Sequence, residues 1–276
     1  MQIDIISGKG GVGKSAVSAA IARLHARRGD RVLAMAMVPG GGLGSHLGLR
    51  ELSFEPQLGV DGVRAMELDK AAALEQYVHI YSPIPLVAEV GRLVRIFDVL
   101  AEAAPGVREI VTIGKIAYEA WEGPWDRIVV DAVPTGQLGS QLQAPDTIAE
   151  LIPTGRVRDQ ASRIRSELTE NATVTLVTLA EELPVTETLE GWVDLEGLPP
   201  TRAPIIANRL VGPPPPATDG LSDAAATALA FHAEIADGQA HWLSELPEGP
   251  RLPYLFGTDD PQLVSEFLGS VLEDHR

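Results

Sequence analysis

The chain has 276 residues, of which 45% are hydrophobic and 22% are charged, a composition typical of a globular protein with a sizeable core. Its 22 Lys and Arg against 38 Asp and Glu give a net charge of −16, which disfavours general binding of nucleic acid or anionic membranes. Cysteine is absent, which excludes disulfides, thiolate metal sites and cysteine nucleophiles. We expect no signal peptide and no membrane span, and a cytoplasmic location fits this composition.

Residues 2–23 predict a strand, a glycine-rich loop and a helix, with the spacing G-x-x-x-x-G-K-S from Gly8 to Ser15. Glycine permits backbone angles with positive φ, so successive N–H groups can turn inward around a phosphate. The helix that follows adds its positive N-terminal end. We expect Lys14 to reach the β- and γ-phosphates of a nucleotide and the Ser15 hydroxyl to ligate Mg²⁺. Residues 8–15 are called the phosphate loop below.

The same glycines fit two other interpretations. They satisfy the dinucleotide fingerprint G-x-G-x-x-G, which requires an acidic residue at the end of the second strand. That strand is predicted over residues 31–37 and is followed by Val38 and Pro39. The dinucleotide interpretation also leaves Lys14 and Ser15 unexplained. A glycine-rich turn without any ligand is the remaining alternative. We prefer the phosphate interpretation because it accounts for more of these residues.

The middle of the chain predicts a loop, a short strand and then helices. A glycine-rich loop over residues 38–44 follows the second strand, and residues 63–68 form a short strand. Residues 70–122 are predicted to be largely helical, with prolines that divide them into at least three helices. The helical spacing rests on apolar residues such as Leu86, Val90 and Leu93.

Residues 128–131 predict an apolar strand that ends in a carboxylate, Asp131. In an α/β sheet the carboxyl ends of the strands face the ligand crevice. We therefore expect Asp131 to hold the water shell of Mg²⁺ and residues 134–137 to sense the γ-phosphate.

Strands and helices alternate through the rest of the chain. The predicted helices cover residues 155–171, 184–192, 221–245 and 261–275, and the predicted strands cover 172–179, 204–207 and 251–256. This alternation predicts an α/β fold, in which a mostly parallel sheet is flanked by helices on both faces. We expect a single P-loop NTPase domain over residues 1–276, with a helical subregion at about 70–122.

Several motifs together resemble those of one family. The second lysine in the phosphate loop, Lys9, gives the form K-G-G-x-G-K-S, which is similar to that of dimeric ATPases with a deviant P-loop. Within that group the chain resembles the arsenical-pump and tail-anchored-protein-targeting ATPases. The similar segments are residues 131–137 (their switch II, D-T-A-P-T-G-H), 105–109 (P-G-x-x-E), 179–188 (L-P-E-E with a later E-T) and 206–209 (a strand that ends in N-R).

The resemblance implies ATP or ADP with Mg²⁺ as ligands. It implies that Lys9 reaches across a two-fold interface to the partner's nucleotide, and that Lys9, Lys14 and Gln137 are catalytic. Ser15 and Asp131 are implied as metal ligands. The residues implied around the nucleotide are Gly8, Lys9, Gly10, Gly11, Val12, Gly13, Lys14, Ser15 and Ala16, with Asn208, which contacts adenine in the family, and Arg209.

Some positions depart from the family pattern. Val38 stands in place of the switch I aspartate that positions the attacking water, and Gly41 stands in place of the switch I histidine. Because losing a positioned base costs about 10²- to 10⁴-fold in rate, we expect weak hydrolysis. Ser45 and His46 are candidate substitutes from the same loop. Gln137 replaces the switch II histidine, and glutamine can still orient a water.

The specialised parts of the family are also missing. Without cysteine the chain has neither an arsenite thiol site nor a zinc clip, and its four methionines argue against a methionine-rich client site. We therefore expect a nucleotide-switched ATPase that forms a homodimer, or a heterodimer with a related ATPase. Any link to a membrane is expected to be indirect, through a partner. The alternative is a catalytically dead ATP-binding subunit that serves as the regulatory half of a heterodimer.

Overall fold

The computed structural model of the protein describes residues 1–81, 107–216 and 221–274. Strands and helices alternate along most of this length. The strands are β1 (Gln2–Gly8), β2 (Val32–Ala36), β3 (Gln57–Leu58), β4 (Arg64–Glu67), β5 (Arg127–Asp131), β6 (Ala172–Leu179), β7 (Thr201–Arg202), β8 (Ile206–Leu210) and β9 (Arg251–Pro253). The helices are α1 (Lys14–Arg27), α2 (Leu43–His46), α3 (Lys70–Tyr81), α4 (Val107–Glu122), α5 (Thr135–Leu151), α6 (Arg156–Asn171), α7 (Glu182–Asp194), α8 (Asp223–Ser244) and α9 (Pro261–Asp274).

The strands form a nine-stranded sheet in the order β3-β4-β2-β5-β1-β6-β8-β9, with β7 beside β6. Each neighbouring pair is parallel except β3 with β4. β1 lies between β5 and β6, where Ile6 pairs with Asp131 and Gly8 pairs with Val177. Because parallel strands end at the same edge, the carboxyl ends of these three strands converge. The predicted mostly parallel sheet is confirmed.

Alternate residues of the central strands enter two hydrophobic cores. Ile128 and Val130 belong to one core and Val129 to the other. Because successive side chains of a strand point to opposite faces, both faces of the sheet need a cover of helices. Residues of α4, α5 and α6 pack in the first core, and residues of α1, α2 and α9 pack in the second. The expected helices on both faces are thus confirmed, whereas a single domain over residues 1–276 stays a prediction.

Several boundaries differ from those that the sequence predicts. The loop predicted over residues 38–44 contains the start of α2. β8 continues past residue 207 because its ladder with β6 includes Asn208, opposite Leu179. The helical prediction for residues 70–122 is confirmed in α3 and α4. Its remainder, with Leu86, Val90, Leu93 and the motif residues Pro105 and Gly106, lies outside the described residues. In the described part of the chain, no helix combines the length and apolarity needed to cross a bilayer.

A buried ion pair joins Lys115 and Glu119 on α4, with 2.7 Å between the ammonium nitrogen and the carboxylate oxygen. Lys115 also donates to the amide oxygen of Gln76 on α3 at 2.7 Å, and its ammonium lies over the ring of Phe54. Glu119 accepts a hydrogen bond from the indole N–H of Trp125 at 3.0 Å. Because the Lys115 side chain is only 4% exposed, its charge depends on these partners rather than on water.

We expect Glu119→Ala to lower the free energy of unfolding by about 3 kcal/mol, because it leaves the Lys115 charge buried without its carboxylate. Glu122→Ala is the matched control, since Glu122 is exposed on the same helix, and it should change stability by less than about 0.5 kcal/mol. Urea denaturation measures both variants. Equal losses in the two variants would contradict this account of the pair.

Candidate functional site

The phosphate loop takes a backbone course that depends on its glycines. Gly8, Gly11 and Gly13 have φ angles of 147°, 86° and 92°. Gly8 faces the carbonyl of Val177 so closely that no Cβ fits between them, and the amide of Asn208 occupies the space where a Cβ of Gly13 would lie. α1 begins directly after Gly13, and no side chain caps its first N–H groups. The loop and helix end therefore offer backbone donors suited to an anion.

Ser15 and Asp131 meet where the ends of β1 and β5 converge. The Ser15 hydroxyl donates to Asp131 Oδ2 at 2.6 Å. Asp131 is only 7% exposed, and burial raises the pKa of its carboxyl against the opposing effects of the Ser15 hydroxyl and the Lys14 charge. Within the described residues, no group of three or more His, Asp or Glu could hold a metal ion. One hydroxyl and one carboxylate fit Mg²⁺, which takes few protein oxygens and completes its shell with water and phosphate.

The Lys14 side chain lies against the backbone of the phosphate loop. Its ammonium donates to the carbonyl of Lys9 at 3.1 Å. Burial lowers the pKa of Lys14, and the negative charge of Asp131 acts in the opposite direction. The ammonium is thus partly removed from water and bound to the backbone of the phosphate loop, so its charge would interact strongly with an anion held by that loop.

Asn208 is buried in the middle of β8 and its side chain holds the phosphate loop by a hydrogen bond. Its Nδ2 donates to the carbonyl of Val12 at 2.9 Å and lies against Gly13. This leaves one amide hydrogen and the carbonyl oxygen of Asn208 for other partners. Arg209 follows with a positive φ of 57° and is exposed. The tether to Val12 is a role that the sequence did not indicate, because it depends on the order of the strands.

A cavity of about 580 Å³ lies beside the phosphate loop. The expected site residues that line it are Gly11, Gly13, Lys14, Ser15, Ala16, Asn208 and Arg209. The cavity is also lined by Tyr254, Leu255, Thr258 and Asp259, which come after β9 in the chain and which no sequence pattern indicated as site residues. The one signal for these residues is positional, since β9 ends at the same sheet edge as the phosphate loop.

His46 and Ser45 both have structural partners. The Nδ1 of His46 lies 2.7 Å from the carbonyl of Pro261. A carbonyl only accepts, so Nδ1 carries the hydrogen and Nε2 of the neutral ring is an acceptor. Burial lowers the pKa of His46, which favours this neutral form. His46 therefore joins α2 to α9 in the cavity wall, while the Ser45 hydroxyl donates to the carbonyl of Gly42 at 2.7 Å.

Two residues expected to be catalytic do not line the cavity. Lys9 is partly exposed, and its ammonium lies 2.5 Å from Oε1 of Glu187. Gln137 is exposed at the start of α5. Val38, at the position expected for the water-positioning acid, is 47% exposed after β2. The remaining loop residues are divided between the interior (Gly8 and Val12) and the surface (Gly10).

Comparison with known proteins identifies one family and several relatives. The sequence model of the family described as anion-transporting ATPase matches residues 1–154. The chain is 29% identical over 221 residues to ATPase BagA of Mycobacterium tuberculosis. This aligned region covers 76% of this chain and 65% of that protein. It is 28% identical over 232 residues to a protein of Chlorobaculum tepidum that carries the name arsenical pump-driving ATPase, with coverage of 69% and 56%.

A more distant similarity extends to eukaryotes. The chain is 26% identical over 151 residues to ATPase ASNA1 homolog 2 of Paramecium tetraurelia. This aligned region covers 51% of this chain and 43% of that protein. The chain thus spans less than two thirds of the length of these relatives, between 43% and 65%. The matched stretch in the family comparison includes both the phosphate loop and Asp131.

We expect Asp131→Asn to raise the stability of the nucleotide-free protein at neutral pH, because burial raises the pKa of the Asp131 carboxyl. A folded-state pKa above the unfolded value of ~3.9 means that the unfolded chain gives up this proton first. The carboxyl therefore lowers stability progressively as the pH rises from that value through the folded pKa. Asparagine carries no charge and still accepts from Ser15, so its advantage should grow with pH and then level off.

Asp126→Asn is the matched control for this experiment. The Arg31 guanidinium holds the pKa of Asp126 well below its usual range, so this exposed carboxylate stabilises the fold above pH ~3.9. Its substitution should have the opposite sign to that of Asp131. Urea titrations of the three proteins between pH 4 and pH 8 provide the measurement, and a loss of stability in Asp131→Asn at neutral pH would refute the burial argument.

Proposed function

The chain belongs to the anion-transporting ATPase family, and we propose that it binds ATP with Mg²⁺ and hydrolyses ATP slowly as a nucleotide-switched dimer. The observation that carries this proposal is the 2.6 Å hydrogen bond between the Ser15 hydroxyl and Asp131, beside a glycine loop that ends in Lys14. A phosphate loop, a following hydroxyl and a strand-end carboxylate are the groups with which P-loop ATPases hold phosphates and their metal.

Each of these groups has a chemical role in the proposal. The backbone N–H groups of the phosphate loop bind the phosphate oxygens, and Lys14 places its charge against the β- and γ-phosphates. Ser15 and Asp131 would hold Mg²⁺ directly or through water. When bound, the metal ion neutralises charge on the β- and γ-phosphates. The metal ion would supply a counter-charge for Asp131, and the phosphates would supply one for Lys14. These counter-charges would offset the cost of burying the two charged side chains.

The cavity beside the phosphate loop is proposed to hold the nucleoside of ATP or ADP. Its volume of about 580 Å³ lies in the range of small-ligand sites. Asn208 presents one amide hydrogen and one carbonyl oxygen, which match the N7 acceptor and the N6 donor of adenine. Tyr254 and Leu255, which also line the cavity, supply apolar surface for the base. ATP and ADP have the same nucleoside, so the cavity would bind that part of both alike. Only the γ-phosphate distinguishes the two nucleotides.

The dimer is proposed from the position of Lys9. This partly exposed cation lies outside the cavity of its own subunit, and a facing subunit could bring a second nucleotide to it. Charge supplied across an interface stabilises phosphoryl transfer only when the two subunits close. The partner is a second copy or a related ATPase. A cytoplasmic location, with any membrane link made through a partner, completes the proposal.

Val38 favours a second candidate function. Valine can neither orient nor deprotonate water, so the chain could bind ATP without turnover and act as the regulatory half of a heterodimer. Gln137 supports the slow ATPase instead, because an exposed glutamine after the strand-end carboxylate can orient a water. The two candidates share the phosphate and metal sites, and a measurement of turnover distinguishes them.

Lys14→Ala should weaken the affinity for ATP in the presence of Mg²⁺ by about 100-fold, because it removes a partly buried cation from the phosphates. Lys70→Ala is the matched control, since Lys70 is exposed at the start of α3 and its removal makes the same change in net charge. Isothermal titration calorimetry measures both affinities. Binding by Lys14→Ala as tight as that of the wild type would refute the phosphate assignment.

Val38→Asp should raise the rate of ATP hydrolysis by about 10²-fold, because it restores a carboxylate that can position the attacking water. Val38→Asn is the control, because asparagine has the shape of aspartate without its charge. This variant should hydrolyse ATP at close to the wild-type rate. Steady-state phosphate release measures all three proteins. Measurable turnover by the wild type would exclude the catalytically dead subunit, whereas activity found only in Val38→Asp would support it. Equal rates in the two variants would contradict the view that a carboxylate at position 38 positions the attacking water.

A further inference from the structure

Lys9 is paired within its own subunit with an acid from a distant part of the chain. Its ammonium lies 2.5 Å from Oε1 of Glu187, which belongs to α7 and is 178 positions away. The Lys9 side chain is 32% exposed and that of Glu187 is 47% exposed. The pair therefore joins the phosphate loop to α7 at the surface, where another subunit could reach it.

The sheet explains why α7 lies beside the phosphate loop. β1 and β6 pair in parallel as far as Gly8 and Val177, and Gly8 is packed tightly against the Val177 carbonyl. α7 begins at Glu182, soon after β6 ends at Leu179. The first turns of α7 therefore lie next to the phosphate loop. Glu187 reaches Lys9 because of this strand pairing and not because of any nearness in sequence.

The same helix also contacts the segment that follows Asp131. Gly191 lies one turn beyond Glu187, and the side chain of Thr135 fills the space where a Cβ of Gly191 would lie. Among the described residues, the hydroxyls of Thr135 and Thr188 are buried without a hydrogen-bond partner. Because a buried unsatisfied hydroxyl is unfavourable, a shift of α7 against this segment could gain hydrogen bonds. α7 thus contacts two parts of the candidate site.

We propose that Glu187 is a positioning residue that restrains Lys9 in the open subunit, and that closure of the dimer transfers Lys9 from Glu187 to the nucleotide of the facing subunit. The inference rests on the proposed function, because it requires a nucleotide-bound dimer. In a symmetric dimer two such pairs break on closure. Glu187 therefore raises the protein concentration at which ATP drives association.

The test is the protein concentration at half-dimerisation, measured by analytical ultracentrifugation with Mg²⁺ and a non-hydrolysable ATP analogue. Glu187→Gln should lower this concentration by about 2- to 30-fold, the range expected when two exposed ion pairs no longer have to break. The shift should shrink at high salt, because salt screens exposed ion pairs. A residue with only a structural role would not produce this salt dependence.

Two further variants make the test specific to the pair. Glu190→Gln makes the same charge change at an exposed position of α7 and should leave the midpoint unchanged. In a Lys9→Ala background, Glu187→Gln should have no further effect, because the pair is already broken. A midpoint that Glu187→Gln leaves unchanged or raises would overturn the proposal, and so would an equal shift in the Lys9→Ala background.

Calorimetric titration of the wild type with the same analogue separates this proposal from the proposed function. Absence of nucleotide binding overturns the proposed function and the restraint with it. Binding and association without a shift in Glu187→Gln overturn the restraint alone. Binding with no association of either the wild type or Glu187→Gln also overturns the restraint, because there would be no closure for Glu187 to oppose.

Discussion

Parallel pairing of β1 with both β5 and β6 is the constraint on which the candidate site depends. The first pairing sets Ile6 opposite Asp131, so that the end of β5 arrives beside Ser15. The second sets Gly8 against Val177, which permits no side chain at that glycine. The phosphate loop is therefore shaped by two strands to which it does not belong. Its sequence allows the conformation, and the sheet imposes it.

The same arrangement of strands partly buries the charged side chains of Asp131 and Lys14. Burial raises the pKa of Asp131 and lowers that of Lys14, so it disfavours the charged form of each group. Their mutual attraction offsets only part of this effect. A cation beside Asp131 and an anion beside Lys14 act on each group in the favourable direction. If the proposed ligands bind here, their charges would offset the cost of burying Asp131 and Lys14, and ligand binding would thereby raise folding stability.

The sequence predicts those parts of the site that depend on local spacing or on a sheet-edge rule. The spacing of glycines places Lys14 and Ser15, and the rule that parallel strands share an edge brings Asp131 to them. The tether from Asn208 to Val12 and the cavity wall at Tyr254 could not be predicted in this way. They depend on where β8 and β9 join the sheet, which no local pattern records. The pair of Lys9 with Glu187 depends in addition on how α7 packs.

Val38 and Lys9 together suggest how the proposed ATPase would use its nucleotide. Replacing the water-positioning acid slows the chemical step but leaves the phosphate and metal ligands in place, so the nucleotide-bound state would last longer. Occupancy of the site, rather than the rate of turnover, then becomes the property that a partner can sense. In the proposed dimer, Lys9 would report occupancy, because its ammonium would bind either Glu187 in its own subunit or the phosphates in the facing one. Slow hydrolysis would then limit how long the closed dimer persists, and the restraint by Glu187 would return Lys9 to its own subunit after opening.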